Sequence, residues 1–325
     1  KSSNKQVSSK AVQSVNSILE LGQINDFTFS TDGKSVLVCN DNMVRQYPAN
    51  LCSTYKFIYK CEKPEVTIDK IVAFPDSMVM ATFDGATKQS SLRRVYYDNP
   101  AREHIQTYDH PITSLSRFES NNYTFFGLSN GDIYFNTSMS QKDPILLMQI
   151  GEKLGSPISI VEMPDSPNYI ISTDDGNAII YDMRIQTPLK SFRASNRPAR
   201  ISPYSSDQFY ITCGPYLTKI DIKSLTVKQL ISCGASHAID CCCFDDWIVS
   251  AHTDLSVIAL NDKMVINLNE PHKRMPLKQK DAAVIRVNPN NVVPLHEHKI
   301  VSIKACPTIQ SVVTTDISGR MILYA

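Results

Sequence analysis

The sequence predicts an all-β chain of seven small, twisted, four-stranded antiparallel sheets set in a ring: a seven-bladed β-propeller, closed by the N-terminal strand pairing in the last blade. Three observations predict it. A strand, a tight turn rich in Asp, Asn or Gly, and a second strand recur seven times along the 325 residues. Each pair is preceded by a further β-type run, and most are followed by a fourth. The units return about every 40 to 46 residues, a period at which a small sheet can bury its faces only against its neighbours.

In chain order the pairs are Val36–Ala49, Val79–Tyr97, Tyr123–Asn136, Ser172–Arg184, Phe209–Ile222, Trp247–Leu260 and Ser311–Tyr324. Asp, Asn and Gly stand at their corners because a tight turn between twisted antiparallel strands needs residues that tolerate positive φ. The runs leading into them begin at Ile24, Thr67, Ile112, Ile158, Ala199, Ala238 and Ile300. Fourth strands follow in "YKFIYKC", "EHIQTYD", "PILLMQI", "PLKSFRA", "VKQLISC" and "KMVINLN". Past the first twenty residues, no long window keeps a helical apolar stripe without a Gly, Pro or Asn break.

The seventh unit ends after its third strand, and "SVNSILELG" (Ser14–Gly22) has no unit of its own. As the outer strand of the seventh blade it fastens the ring; the alternative is a short amphipathic helix beside it. Residues 1–13 read as a polar, flexible lead-in, and residues 14–325 as a single propeller domain, part of a longer protein. The last blade is delayed by Glu270–His298, which holds four prolines and a basic run at Lys273, Arg274, Lys278 and Lys280. It reads as a surface insertion with "AAVIRV" as an extra edge strand, or as a partner-specific arm. Either Lys263–Asn269 or Ala282–Val287 serves blade 6 as its outer strand.

A formal net charge of +1 argues against a globally basic nucleic-acid binder, and no apolar run approaches the length of a bilayer-spanning helix. Nine cysteines, none in Cys-x-x-Cys and most inside apolar runs, read as free thiols of an intracellular protein, cytoplasmic or nuclear. Cys241, Cys242 and Cys243 alternate faces in a strand, so all three cannot hold one ion. His296 and His298 would share a face if extended, but no further ligand stands at a usual zinc spacing. The adjacent Asp174 and Asp175 read as turn residues bonding their own backbone. No nucleophile elbow, zincin, P-loop or dinucleotide motif is present, and eleven glycines leave little for phosphate-cradling loops. The reading is a non-enzyme with no cofactor or metal.

The unit "DDGNAIIYDMR" resembles a WD40 repeat, with Tyr181-Asp182 where that family has Trp-Asp, and the likeness extends in divergent form over the chain from about residue 14. The usual Gly-His is missing, although His110, His237 and His298 precede strands where such a histidine falls. The resemblance implies a non-catalytic scaffold that binds a protein or peptide within a multi-subunit assembly. It also implies that the blade-to-blade connections open onto a peptide-binding face. Arg193, Arg197 and Arg200 lie in one such connection, and three arginines there suit an acidic or phosphorylated peptide; the plain alternative is pairing with Asp174, Asp175 or Asp207. Asp182 and Arg184 resemble the Trp-Asp-x-Arg box by which some WD40 proteins join a ubiquitin-ligase adaptor, which gives a substrate-receptor alternative. A third class, lipid or nucleic-acid binding, would use Arg93 and Arg94 or the basic run that includes Lys273 and Arg274. Paired arginines resemble those of phosphoinositide-binding propellers, but here Val95 follows in place of Gly and the pair lies in blade 2.

Overall fold

A short strand with apolar residues on both sides leaves its sheet with two faces to bury, and a ring gives each face a neighbour. The computed structural model describes residues 15–52, 54–136, 144–185, 187–232, 236–261, 264–267, 274–276, 284–286 and 295–324. They form seven antiparallel sheets in chain order. Blade 1 is Asp26–Phe29, Ser35–Asn40, Met43–Pro48 and Lys56–Lys60; blade 2 is Val66–Ala73, Ser77–Asp84, Gln89–Tyr96 and Glu103–Tyr108. Blade 3 is Ile112–Phe118, Tyr123–Leu128, Asp132–Asn136 and Ile145–Gln149; blade 4 is Pro157–Glu162, Asn168–Thr173, Asn177–Asp182 and Thr187–Arg193. Blade 5 begins Ile201–Ser205, Gln208–Cys213, Tyr216–Asp221 and Val227–Ser232; blade 6 begins Ala238–Phe244, Trp247–His252, Val257–Leu260 and Met264–Asn267. Blade 7 is Ile300–Cys306, Ser311–Asp316 and Arg320–Tyr324, completed by Val15–Glu20.

The N-terminal run is therefore a strand and not a helix. It pairs antiparallel with the last strand of the chain, Val15 opposite Tyr324 and Glu20 opposite Arg320. The Arg320 guanidinium reinforces this clasp, donating to Glu20 (2.9 Å), Glu297 (2.8 Å) and the Leu295 carbonyl (2.8 Å).

Blades 5 and 6 depart from the expected four strands. Met264–Asn267 is the fourth strand of blade 6, and Arg274–Pro276 pairs antiparallel outside it. Val284–Arg286 from "AAVIRV" is an added edge strand, but on blade 5, where it runs parallel to Leu230–Ser232. Residues 1–13 lie outside the described residues.

The core is seven slabs, one in each gap between blades. Between blades 1 and 2, for example, Leu37, Val44, Ile71, Met78 and Met80 interlock, and Tyr169 and Tyr181 join Phe118 and Phe125 between blades 3 and 4. The triple cysteine shows the alternation directly: Cys242 packs into the slab shared with blade 7, whereas Cys241 and Cys243 face blade 5. Burial pushes the Cys243 thiol up to about 12, so these groups pack as small apolar side chains.

Hydrogen bonds from the innermost strands stitch every junction. Ile71 N–H donates to Asp26 (3.0 Å), Arg117 to the Ala73 carbonyl (3.2 Å), and Ser116 to the Ile160 carbonyl (2.6 Å). Arg200 donates to the Ile158 carbonyl (2.5 Å), Cys243 N–H to Ser202 (2.8 Å), and Ile303 N–H to Asp240 (3.1 Å). The circle closes where the Lys304 ammonium meets Asp26 at 2.7 Å. Burial alone would raise the Asp26 carboxyl, but Lys304 and Lys70 outweigh it and hold the group below the usual carboxylate value.

Each inner hairpin turn has one residue at positive φ: Asp41, Lys88, Gly131, Gly176, Gly214, Leu255 and Gly319. Five are the expected types. Lys88 and Leu255 are not, because Asp84 and Asp254 fold their turns by accepting from the backbone at Ala86 and Ser256, and these bonds hold the strained residue in place. Gly319 is the most constrained, since a Cβ there would stand 1.4 Å from the Gly22 carbonyl oxygen. Gly22 has a similar positive φ with nothing within 4 Å of its would-be Cβ. Both Ala variants carry left-handed backbone strain of roughly 1–2 kcal/mol. Only Gly319→Ala should lose more than that in a denaturant titration, with faster hydrogen exchange at Arg320–Tyr324. Equal losses for the two would refute the tight clasp.

Candidate interaction surfaces

The two faces of the ring are built from different loops. One carries the inner hairpin turns and the blade-to-blade connections; the other carries the remaining turns. The connection from blade 4 to blade 5 lies on the first face, moulded onto the Gly176 turn. The backbone N–H groups of Ala194 and Ser195 both donate to the Gly176 carbonyl (2.9 and 3.1 Å), and Ser172 Oγ donates to the Ala199 carbonyl (2.7 Å). A Cβ on Gly176 would stand 2.4 Å from the Ser195 carbonyl oxygen, so the loop rests directly on the turn.

Arg193 and Arg197 come together there around Ser195, Arg193 Nε donating to its carbonyl (3.1 Å) and the Arg197 N–H to its hydroxyl (3.1 Å). Both side chains are exposed, and no ion pair among the described residues includes either. The expected alternative partner Asp174 accepts instead from the Ser156 N–H at 2.7 Å. Arg200 leaves the cluster. Its backbone N–H is held by Thr212 (2.8 Å) and its guanidinium turns to the inner wall to join blades 4 and 5. The proposed triad is thus a pair on the face plus a stitch.

Asp182 and Arg184 lie on the opposite face, in the turn after the third strand of blade 4. Arg184 donates from its backbone N (2.8 Å) and Nε (3.1 Å) to one Asp182 oxygen, and from its terminal nitrogen to the other (2.6 Å). The hydrogen bonds from Arg184 hold the Asp182 carboxyl below its ordinary value. The guanidinium remains largely exposed, with Nε and one terminal nitrogen engaged on its own turn.

Arg93 and Arg94 point to opposite sides of blade 2. Arg93 donates to Thr82 (3.2 Å) and approaches Glu103 (3.7 Å). Arg94 bonds Ser77 (2.8 Å) and Asp76 (3.1 Å) and lies over the Phe74 and Tyr96 rings. Neither presents a free cation to a lipid headgroup. Arg274 sits in the fifth strand of blade 6, opposite Ile266; Lys273 lies outside the described residues. A cleft of about 440 Å³ opens between blades 1 and 2, lined by Phe57, Ile58, Phe74, Pro75, Tyr97 and Lys56 among others.

His296 is the residue whose place the sequence misled. The segment is not extended, so the two histidines do not share a face: His298 is exposed and His296 is fully buried. His296 Nδ1 lies 3.0 Å from Asp316 and Nε2 lies 2.6 Å from the Thr314 hydroxyl. Burial lowers the His296 pKa against the pull of Asp316. Burial also raises Asp316, but hydrogen bonds from Ser318 and His296 win and keep it ionised. The neutral ring therefore donates to the carboxylate and accepts from Thr314. The available signal was the pattern Thr-x-Asp at the inner turn of "TTDISGR", with a histidine upstream to satisfy it. Among the described residues no cluster of three His, Cys, Asp or Glu side chains could hold a metal ion, and no helix is long and apolar enough to cross a membrane.

Among the described residues seven sheets, two of them with an added fifth strand, make a ring fastened by pairing Val15–Glu20 with Arg320–Tyr324. The chain superposes on the WD40 propeller domain of Doa1 with a TM-score of 0.71 at 12% identity, covering 97% of this chain and 98% of that one. The fold is a WD40-type β-propeller. A chain of the mitotic checkpoint complex matches with a TM-score of 0.72 at 12% identity over 98% of this chain and 96% of its own. The Neurospora crassa Pan2 WD40 domain gives 0.69 at 8% over 96% and 94%. No family model matches the sequence, and no curated protein matches it.

His252, in blade 6, is fully buried with Nε2 2.8 Å from Ser250 Oγ, and burial lowers its pKa to about 4. The unfolded chain takes up this proton near pH 6.5 while the folded ring refuses it, so stability is complete above that pH and falls as pH drops toward 4. The loss should approach roughly 3 kcal/mol at His252, with His296 adding in the same direction. Denaturant midpoints measured from pH 7.5 to 4.5 should show this slope, and His252→Gln should flatten it. A slope unchanged by the substitution would sink the account.

Proposed function

We propose that this propeller is a non-catalytic interaction module of a multi-subunit assembly, and that it receives an acidic or phosphorylated peptide on the face where blades 4 and 5 meet. The observation that carries this reading is the pair Arg193 and Arg197, exposed, without a carboxylate partner among the described residues, and seated on a loop anchored to the Gly176 turn. Guanidinium groups so placed have donors left for bidentate contact with carboxylate or phosphate, and an anchored loop loses little freedom on binding. The near-neutral chain supplies no general attraction for polyanions, so recognition rests on these groups. An intracellular setting, cytoplasmic or nuclear, accords with eight unbridged cysteines among the described residues. The ligase-receptor alternative fits less well, because Arg184 is already paired with Asp182.

Charge reversal tests the reading. Arg193→Glu/Arg197→Glu should weaken recovery of one co-purifying partner by about tenfold or more, while Arg184→Ala leaves the same partner bound. Retention of every partner by the double variant means this face is not the site.

A further inference from the structure

We propose that the cleft between blades 1 and 2 is a second peptide site, which takes an extended segment carrying an apolar anchor side chain beside a carboxylate. It stands apart from the Arg193–Arg197 face and does not depend on that reading.

The cleft opens on the face opposite Arg193 and Arg197. One wall is the Ser30–Ser35 turn and the start of the outer strand of blade 1; the other is Phe74, Pro75, Tyr97 and Pro100 of blade 2. In a regular strand Phe57 and Ile58 would project from opposite sides of the sheet. Here the pairing steps from Tyr59 opposite Val44 to Phe57 opposite Arg45, and this bulge at Ile58 lets both neighbours line the cleft. The floor is firm. Leu37 belongs to the slab between the two blades, and Ile58 and Tyr97 pack against that slab, so the cavity exists before any ligand arrives.

Two observations select the occupant. Phe57 is 53% exposed although it stands in a concave wall with Phe74, Pro75 and Tyr97. A volume of about 440 Å³ holds one or two apolar side chains, and an anchor laid on Phe57 would take apolar area of both partners out of water.

The other observation is charge. Asp32 and Lys56 are the charged side chains lining the cleft. Asp32 is already satisfied: it accepts from Ser30 Oγ (2.7 Å) and the Lys34 N–H (3.0 Å), with Lys34 Nζ at 3.9 Å. Gln46 Nε2 is likewise engaged on Ser35 Oγ (2.7 Å). Lys56 is exposed and belongs to no ion pair among the described residues. Arg102, on the turn that holds Pro100, is a second exposed cation outside those pairs, its guanidinium 4.0 Å from the centre of the Tyr96 ring. The exposed Asp98 of the same segment offsets one of the two. The complement to an apolar wall with a cation beside it is an apolar side chain next to Asp or Glu. A basic peptide would bring its charge against Lys56 and find Asp32 occupied.

Panning a random decapeptide library on the whole chain, as wild type and as Lys56→Glu, tests this. The wild type should enrich peptides that place Leu, Ile, Phe or Trp within about two residues of Asp or Glu. Lys56→Glu should bind these peptides about tenfold or more weakly and enrich others with Lys or Arg at the same spacing. Phe57→Ser should weaken the wild-type peptides to a similar degree, with an unchanged thermal midpoint showing that the fold persists. Arg193→Glu/Arg197→Glu should bind them as the wild type does, which separates this site from the opposite face. A library that yields no such peptide, apolar peptides that Lys56→Glu binds equally well, or loss of binding in the double arginine variant each overturns the assignment.

Discussion

Seven small sheets around an axis have no interior to hide in except one another, so the junction between the last blade and the first bears the same load as the other six. The antiparallel ladder of Val15–Glu20 against Arg320–Tyr324 makes that junction ordinary. Once the first strand belongs to blade 7, Leu21–Asn25 leads from an outer strand to the inner strand of the next blade, as every other connection does. The apolar slab of Phe27, Val36, Val38, Val313 and Met321 then closes as the other slabs do. Arg320 and the Gly22–Gly319 contact add local rigidity at the one place where the chain has two ends to hold.

Stitching of the inner strands explains why the faces can carry function. Main-chain and carboxylate contacts such as those of Asp26 and Asp240 span adjacent blades close to the axis, where a small displacement would disturb several blades at once. Loops farther out are free to vary, since the slabs and stitches fix the strands that support them. Arg200 shows the division of labour. Three residues before it, Arg197 faces solvent, whereas Arg200 is drawn inward because Ile158 offers a backbone carbonyl that the neighbouring blade leaves open.

Much of this was legible in the letters because a repeat reports itself many times over. Period, turn chemistry and the unpaired terminal strand all pointed to one closed ring, and errors in any one unit were outvoted by the rest. What stayed hidden depended on a single copy or on tertiary contact. Lys88 and Leu255 adopt turn conformations their types disfavour because neighbouring carboxylates hold them there. His296 would have shared a face with His298 in an extended segment, yet it is buried against Thr314 and Asp316, far along the chain. The destination of "AAVIRV" was unreadable because edge pairing is set by which blade the chain passes, and Val284–Arg286 returns to blade 5 after its predecessor has served blade 6. At the candidate site, the placement of Arg193 and Arg197 followed from the loop order, while the inward turn of Arg200 required the position of the adjacent blade.

The register of the clasp has a mechanical corollary. Val15, where the first strand begins, lies directly across from Tyr324, where the last strand stops. Tension applied to the two ends would therefore peel the ladder one rung at a time, like a zip, and would never load all its bonds together. A ring held together by shared packing would yield first at that one seam, and a single-molecule stretching trace would register the opening at low force.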